Sequence, residues 1–447
     1  MTLNIRQLLY PGAIVMLSIV MFFTKNLDPS LNSMPWIEIF SLIILAFYIR
    51  ELYKKSPEFL FTSFYQIYAL GGVAVSLLFV GAGIPMMEID GTGSANGAFW
   101  IILIFFVFGL EAGKIGFYLS KANYFFRVKK ISNRLSQNMV LLISASILAV
   151  GLYIFLIYGG AAISGQNRVA FWSSSIPSYL KFYPGLLSQT FFLIAFAYFN
   201  NKENRRKNAL PILLVIFYFL ATHIVAGEKF SAFILYINIW LFLQTGFVER
   251  RNFGWRFFAV GAIVLFGLLA LVLGAYSILG EDLTFMLSRT AAQGELIWSV
   301  LNESSKILLY GDRFFCFFGC DQYNTGADFI SARYVTFKMW NDIQTSESNL
   351  TGFMPALPIL LWGIPLSLII HVLFSIFFGW MQSGLIKSIK SRDLITSYFL
   401  YKIYFGLIIF WYASRISALS GVAISAAILF FWLLIFGRSY KYKPKEN

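Results

Sequence analysis

The chain has 447 residues, of which 58% are hydrophobic and 13% charged, and its mean hydropathy is +0.71. This composition is far more apolar than a soluble globular chain needs, so lipid is the expected solvent. The net charge of +14 does not indicate nucleic-acid binding. The basic residues gather between apolar runs on one predicted side, where they orient the chain and attract anionic lipid.

Long apolar runs predict transmembrane helices, because a bilayer core about 30 Å thick takes about 20 residues as helix. The first run follows Arg6, but no small-residue cleavage site follows Phe23, so we predict a helix and not a signal peptide. The fold class is therefore an all-α polytopic membrane protein with about 12 transmembrane helices. The spans are expected near residues 8–23, 31–49, 59–84, 98–119, 139–159, 184–200, 209–226, 230–247, 257–279, 353–378, 395–412 and 418–437.

The distribution of Lys and Arg predicts the orientation. The runs KANYFFRVKKISNR and NNKENRRKN fall on the predicted inner side, whereas the outer loop MMEIDGTGSANGA carries no basic residue. Both termini are then cytoplasmic. The chain divides into transmembrane helices 1–9 (residues 1–279), a large outer loop (280–352), and transmembrane helices 10–12 with a cytoplasmic tail (353–447).

The loop at 280–352 is the unusual feature, since long loops are more often functional than decorative. Its first part predicts a helix along the membrane surface, with Leu296, Ile297, Val300 and Leu301 at helical spacing. An irregular stretch follows, and a second short helix is expected at ISARYVTFKMW. Cys316 and Cys320, the only two cysteines, suit either a local disulfide or two unpaired thiols on one helical turn. No metal-site spacing is present.

Basic residues on the predicted outer face form the main candidate site. Their position opposes the positive-inside tendency, and guanidinium groups suit a phosphate or pyrophosphate headgroup. The alternative is pairing with acidic neighbours such as Glu228 or Asp328, or extension to lipid headgroups. The candidates are Arg168, Lys229, Arg289, Arg313, Arg333 and Arg415.

Transfer chemistry also needs a group that takes a proton, and Glu295 is chosen from the outer carboxylates. On an ideal helix Arg289 and Gln293 share a face, while Glu295 lies about 120° away from Arg289. His223 and His371 are interpreted as structural histidines. In the fourth span, Glu111 and Lys114 are expected to pair with each other.

The topology, the outer arginines and blocks such as SRTAAQGELIWSV and TGFMPALPILLWGIP resemble a Wzy-type O-antigen polymerase. The resemblance implies a GT-C-like architecture in the bacterial inner membrane and a metal-independent glycosyltransferase without cofactor. Its substrates would be undecaprenyl pyrophosphate-linked glycans, as donor and acceptor, and a separate chain-length regulator is an implied partner. Arg289, Arg313 and Arg415 would neutralise the pyrophosphate leaving group.

One departure and two alternatives accompany this resemblance. Some family members carry an Arg followed ten residues later by Gly in two outer loops, and neither Arg168 nor Arg289 shows that spacing. An O-antigen ligase would share the architecture but relies on a His in the large outer loop, and residues 280–352 contain none. A lipid-linked oligosaccharide flippase would carry more of its charges inside the spans.

Overall fold

The protein is a helical bundle, described by a computed structural model over residues 5–27, 35–89, 97–120, 125–128, 133–164, 168–200, 205–228, 231–247, 283–303, 314–319, 323, 325–337, 340–341 and 353–440. Within these residues, seven helices are long and apolar enough to cross a membrane. The chain is thus a polytopic membrane protein. The seven are Phe64–Gly81, Ala98–Leu119, Asn138–Tyr158, Ser178–Asn200, Met354–Lys390, Leu394–Ala413 and Ala418–Ile435.

The described helices follow one another along the chain. They are α1 Ile5–Leu27, α2 Pro35–Lys55, α3 Pro57–Thr62, α4 Phe64–Gly81, α5 Ala98–Leu119, α6 Asn133–Tyr158, α7 Tyr183–Asn200, α8 Arg205–Leu220, α9 Ser231–Phe247, α10 Leu283–Glu303, α11 Gly326–Tyr334, α12 Phe353–Lys390, α13 Leu394–Ala413 and α14 Ala418–Phe436. A turn at Arg168–Ala170, π-helical turns at Phe171–Ser175 and Ala221–Val225, and 3₁₀ turns at Ser178–Leu180 and Phe314–Phe318 lie between them. The strands β1 Phe125–Val128 and β2 Gly437–Tyr440 pair antiparallel.

The described helices overlap every predicted span except 257–279, which lies outside the described residues. The predicted span 353–378 lies within α12. Helix α12 continues to Lys390 and is interrupted at Gly363, whose φ is 75° and ψ is 167°. Gly tolerates this left-handed backbone, and Pro365 removes a donor just after it. The apolar segment thus runs from Met354 to Lys390 with a break in its backbone at Gly363.

Helix α5 is the centre of the bundle, with 78% of its apolar window buried, against 11% for α14. It packs tightly against α12 through small residues. A Cβ on Gly116 would overlap the backbone of Ile376, and one on Gly379 would overlap the backbone of Gly113. Small residues at such crossings let two membrane helices approach closely, which stabilises them without a hydrophobic driving force.

His371 joins three of these helices and is fully buried. Its Nε2 lies 3.1 Å from the carbonyl oxygen of Phe105 in α5, and the indole N–H of Trp411 in α13 donates to its Nδ1, also at 3.1 Å. Because an indole nitrogen only donates, Nδ1 must accept, so the ring is neutral and carries its proton on Nε2. Both nitrogens are satisfied, as expected for a structural histidine.

Contacts between predicted inner segments lie at one end of the bundle. Lys390 forms an ion pair with Glu58 at 2.9 Å. The strands β1 and β2 join the segment after α5 to the segment after α14. In α5 itself, Glu111 and Lys114 form the predicted ion pair. Helix α13 begins near this end, at Leu394, and Arg415 follows its other end.

Candidate functional site

The helix predicted in the first part of the large loop is present as α10. Its expected placement along the membrane surface is not confirmed. Its residues Leu296, Ile297 and Val300 are fully buried. The helix packs against α4, where Gln293 lies beside Gly72 at the midpoint of α4 and Gly294 lies beside Leu77. These glycines lack a side chain at the crossing, so α10 enters the bundle.

Glu295 is an anchor for this packing. Its Oε1 accepts the backbone N–H of Met87 at 2.8 Å, and its Oε2 accepts those of Glu88 and Ile89 at 2.8 and 3.1 Å. The side chain is fully buried. Burial raises the pKa of the Glu295 carboxyl, and the three N–H donors partly oppose that rise. With both oxygens accepting backbone N–H groups, Glu295 fixes the segment after α4 and is not placed to act as the predicted base.

A cluster of polar side chains from α4 and α10 lies near the turn that follows α13. We call it the tyrosine cluster and define it by Tyr65, Tyr68, Gln293 and Arg415. Gln293 lies beside Gly72, one helical turn after Tyr68 in α4, and the rings of Tyr65 and Tyr68 lie 6.2 Å apart. Both tyrosines and Gln293 are half-buried, although the tyrosines belong to an apolar membrane helix.

Arg415 provides the positive charge of the tyrosine cluster. It lies in the short turn between α13 and α14, directly after Ser414, which ends α13 in the left-handed conformation with φ at 50°. Its guanidinium is exposed and lies within electrostatic range of Tyr65. The short turn holds the guanidinium close to the tyrosines of the cluster.

The other predicted residues of this region are described only in part. The backbone of Arg289 lies in α10, one turn before Gln293, and its side chain is outside the described part of the structure. Lys229 and Arg313 are also outside it. Arg333 lies in the last turn of α11, is exposed, and has its guanidinium carbon 5.8 Å from the centre of the Tyr334 ring.

Arg168 pairs with an acidic neighbour, which is the alternative to phosphate binding that the sequence left open. Its Nη1 lies 2.6 Å from a carboxylate oxygen of Glu228. Gly227, with φ at 70°, turns the chain so that Glu228 reaches Arg168. The indole of Trp172 donates to the carbonyl oxygen of Ala226 at 3.0 Å and fixes the same corner. His223 lies beside this corner with an exposed ring.

A disulfide-bonded segment covers the outer ends of α12 and α13. Cys316 is disulfide-bonded, and the chain's only other cysteine is Cys320. The neighbouring Phe317 is 2% exposed and stacks on Trp362 with ring centres 5.5 Å apart. It also contacts Trp411, the donor to His371. The segment therefore joins the large loop to α13, the helix before the Arg415 turn.

Two features of the site were not found from the sequence. Tyr65 and Tyr68 were not singled out, although FYQIYALGG places two hydroxyls and an amide within an apolar span. That pattern of polar residues within an apolar span is the sequence signal that could have identified the two tyrosines.

In the described part of the chain, no group of three or more His, Cys, Asp or Glu side chains is arranged to hold a metal ion.

Fold and site together define a helical, multi-pass membrane protein with a cationic, hydroxyl-rich cluster among its helices. Residues 321–431 match a family of unknown function, DUF6418. The match covers α11 and α13 entirely, together with α12 and most of α14, and so includes Arg333, His371 and Arg415. No curated protein matches the chain, and no solved structure matches it.

Proposed function

We propose that the protein is a polysaccharide polymerase that joins undecaprenyl pyrophosphate-linked repeat units at the periplasmic face of a bacterial inner membrane. In this proposal the chain has twelve spans, both termini are cytoplasmic, and the tyrosine cluster faces the periplasm. The disulfide at Cys316 supports this orientation, because disulfides persist in oxidising compartments.

The proposal is supported by the spatial relationship of residues on α4, α10 and the turn after α13. Arg415 lies within electrostatic range of Tyr65 in α4, and Gln293, one turn after Arg289 in α10, lies beside Gly72 of the same α4 helix. A lipid-linked pyrophosphate has its charge at the membrane boundary and its sugars beside it. A site with a guanidinium group and neutral hydrogen-bonding groups suits both parts of such a molecule.

The proposed reaction is a glycosyl transfer. A hydroxyl of the acceptor unit attacks the anomeric carbon of the donor glycan, and a new glycosidic C–O bond forms as the bond to pyrophosphate breaks. The pyrophosphate leaves with the bonding electrons and takes up the hydroxyl proton. Arg415, with Arg289 and Arg313, stabilises the charge that develops on the leaving oxygen. Lys229 and Arg333 contribute positive potential around the entrance, whereas the charge of Arg168 is paired with Glu228.

The banding of surface polysaccharide on a gel tests this function in cells. A strain lacking the protein is compared with the same strain restored with wild-type protein or with Arg415→Ala at equal membrane levels. The proposal expects core capped by a single repeat unit in the deletion strain and in the variant. Bare core with full-length polymer on the carrier lipid would instead indicate a ligase. Repeat units retained on the inner leaflet would indicate a flippase.

A further inference from the structure

The 3₁₀ turn at Phe314–Phe318 presents two aromatic rings at the surface of the bundle. Phe315 is 80% exposed and Phe318 is 60% exposed, whereas Phe317 between them is buried. Residues three apart lie on the same face of a 3₁₀ turn, so Phe315 and Phe318 project together while Phe317 points into the bundle. We call the two exposed rings the aromatic wedge. Large apolar side chains grouped in this way indicate a contact with an apolar partner.

The aromatic wedge lies beside a membrane span and below its end. The Phe318 ring stacks on Phe410 of α13 with ring centres 6.4 Å apart, and the Phe317 ring lies 5.4 Å from the same Phe410. Helix α13 is one of the helices able to cross a membrane. Phe410 precedes the last residue of α13, Ala413, by about 5 Å along the helix axis. The wedge is therefore at the depth of the last turn of the span.

The surface next to the aromatic wedge is a lipid-facing surface. Phe410 contacts Phe374 of α12, with ring centres 6.4 Å apart. Beside Phe374, α12 exposes a stripe of apolar side chains at helical spacing, formed by Ile369, Leu373 and Phe377. In a membrane span such a stripe contacts acyl chains, because the bilayer core holds no water. The wedge continues this stripe, so the bilayer is the partner that its position indicates.

The backbone of the turn is protected from lipid, as an irregular segment at this depth requires. The N–H of Gly319 donates to the carbonyl oxygen of Cys316 at 3.2 Å. Helix α11 begins against the same carbonyl group, because a Cβ added at Gly326 would stand 2.8 Å from its oxygen. The side chain of Cys316 is also buried. The protein thus covers the backbone at Cys316 and leaves the two rings of the wedge exposed.

We propose that the aromatic wedge inserts into the acyl chains of the leaflet on the side of the large loop. This part of the loop then lies in the membrane and not above it. The disulfide at Cys316 and the buried ring of Phe317 hold the turn against the bundle, so that the wedge is presented as a fixed unit. The inference does not depend on the proposed glycosyl transfer.

Photocrosslinking in phosphatidylcholine nanodiscs tests the insertion. The photoreactive residue p-benzoylphenylalanine replaces Phe315 or Phe318, one at a time in the full chain, and mass spectrometry identifies the adducts after irradiation. The same residue at Phe431, an exposed ring of α14, is the lipid-facing control. At Ser391, an exposed residue in the turn between α12 and α13, it is the water-facing control.

The yield of lipid adduct at both wedge positions is expected to match the yield at Phe431. It should exceed the yield at Ser391 about tenfold, because acyl chains surround the wedge and not the turn. A yield no higher than that at Ser391 at either position would overturn the inference. Adducts with peptides of a second protein, in place of lipid, would overturn it as well. Gel filtration before irradiation confirms that each protein is folded, and the exposed rings make both replacements compatible with the packing.

Discussion

Trp411 donates its indole N–H to Nδ1 of His371 across 3.1 Å, and this bond joins α13 to α12 inside the bundle. The same imidazole contacts the carbonyl oxygen of Phe105 in α5. One neutral ring thus fixes three helices, one turn before the Arg415 turn. The position of the tyrosine cluster depends on this junction.

Replacing His371 by Phe tests the junction. The ring volume is nearly kept, but the indole N–H of Trp411 loses its acceptor inside the bundle. We expect the free energy of unfolding to fall by about 1–3 kcal/mol, the usual loss for one buried donor left unpaired. Thermal unfolding in detergent, followed by circular dichroism, measures the change. His223→Phe is the control, because His223 is exposed, and equal losses for the two variants would contradict the account.

The crossing of α5 and α12 gives a second prediction. Gly116→Ala should prevent normal folding, because the added methyl group would overlap the backbone of Ile376, which cannot move aside as a flexible side chain can. The yield of monodisperse protein after membrane extraction is the measurement. Gly421→Ala in α14 is the control, since nothing lies within 4 Å of its added Cβ. Normal yield of Gly116→Ala would show that the two helices are not so closely packed.

The disulfide at Cys316 and the buried ring of Phe317 are expected to hold the large loop against the helical bundle. Reducing the disulfide, or replacing both cysteines by Ser, should lower the free energy of unfolding by about 2 kcal/mol, the value expected for so short a covalent ring. Phe317→Ala should cost about 3 kcal/mol or more, because the ring is 2% exposed among aromatic neighbours. Phe315→Ala should cost little, because that ring is 80% exposed. A reversed order of these two phenylalanines in thermal unfolding would refute the packing described.

The Glu295 carboxyl predicts a pH dependence of stability. Its pKa is raised in the folded protein above the ordinary 4.5, so the folded state holds the proton more tightly than the unfolded state does. Stability from this group is therefore fully present below the ordinary pKa and is lost as the pH rises through the raised value. Thermal unfolding across that range should show the decline.

Glu295→Gln should remove that part of the pH dependence, because an amide does not titrate there. The variant should also be less stable at every pH, since its NH₂ group would face backbone N–H donors of residues 87–89. A variant that keeps the wild-type pH profile would show that another group titrates.

Several elements were predictable because their signal is local. The span 98–119 coincides with α5 because its residues are almost uninterruptedly apolar. The helix α10 was predicted from its periodicity. The ion pair of Glu111 and Lys114 follows from their spacing on a helix.

Other features depend on which helices become neighbours, and the sequence does not encode this locally. The depth of α10 follows from the meeting of Gly72 and Gly294 with residues more than 200 positions away. Likewise, Tyr68 becomes part of a site only because Gln293 lies against α4. The anchoring role of Glu295, in place of the predicted base, was missed for the same reason, since its three hydrogen-bond donors come from the segment after α4.

Reconstituted elongation tests the central claim most directly. Purified protein in proteoliposomes is given undecaprenyl pyrophosphate carrying one repeat unit, and the lipid products are resolved by mass spectrometry. The account predicts products with two or more repeat units, together with released undecaprenyl pyrophosphate, and at least a hundredfold loss for Arg415→Ala, about the effect of removing one charge-stabilising donor. Failure of folded wild-type protein to lengthen the glycan or release the carrier would contradict the account.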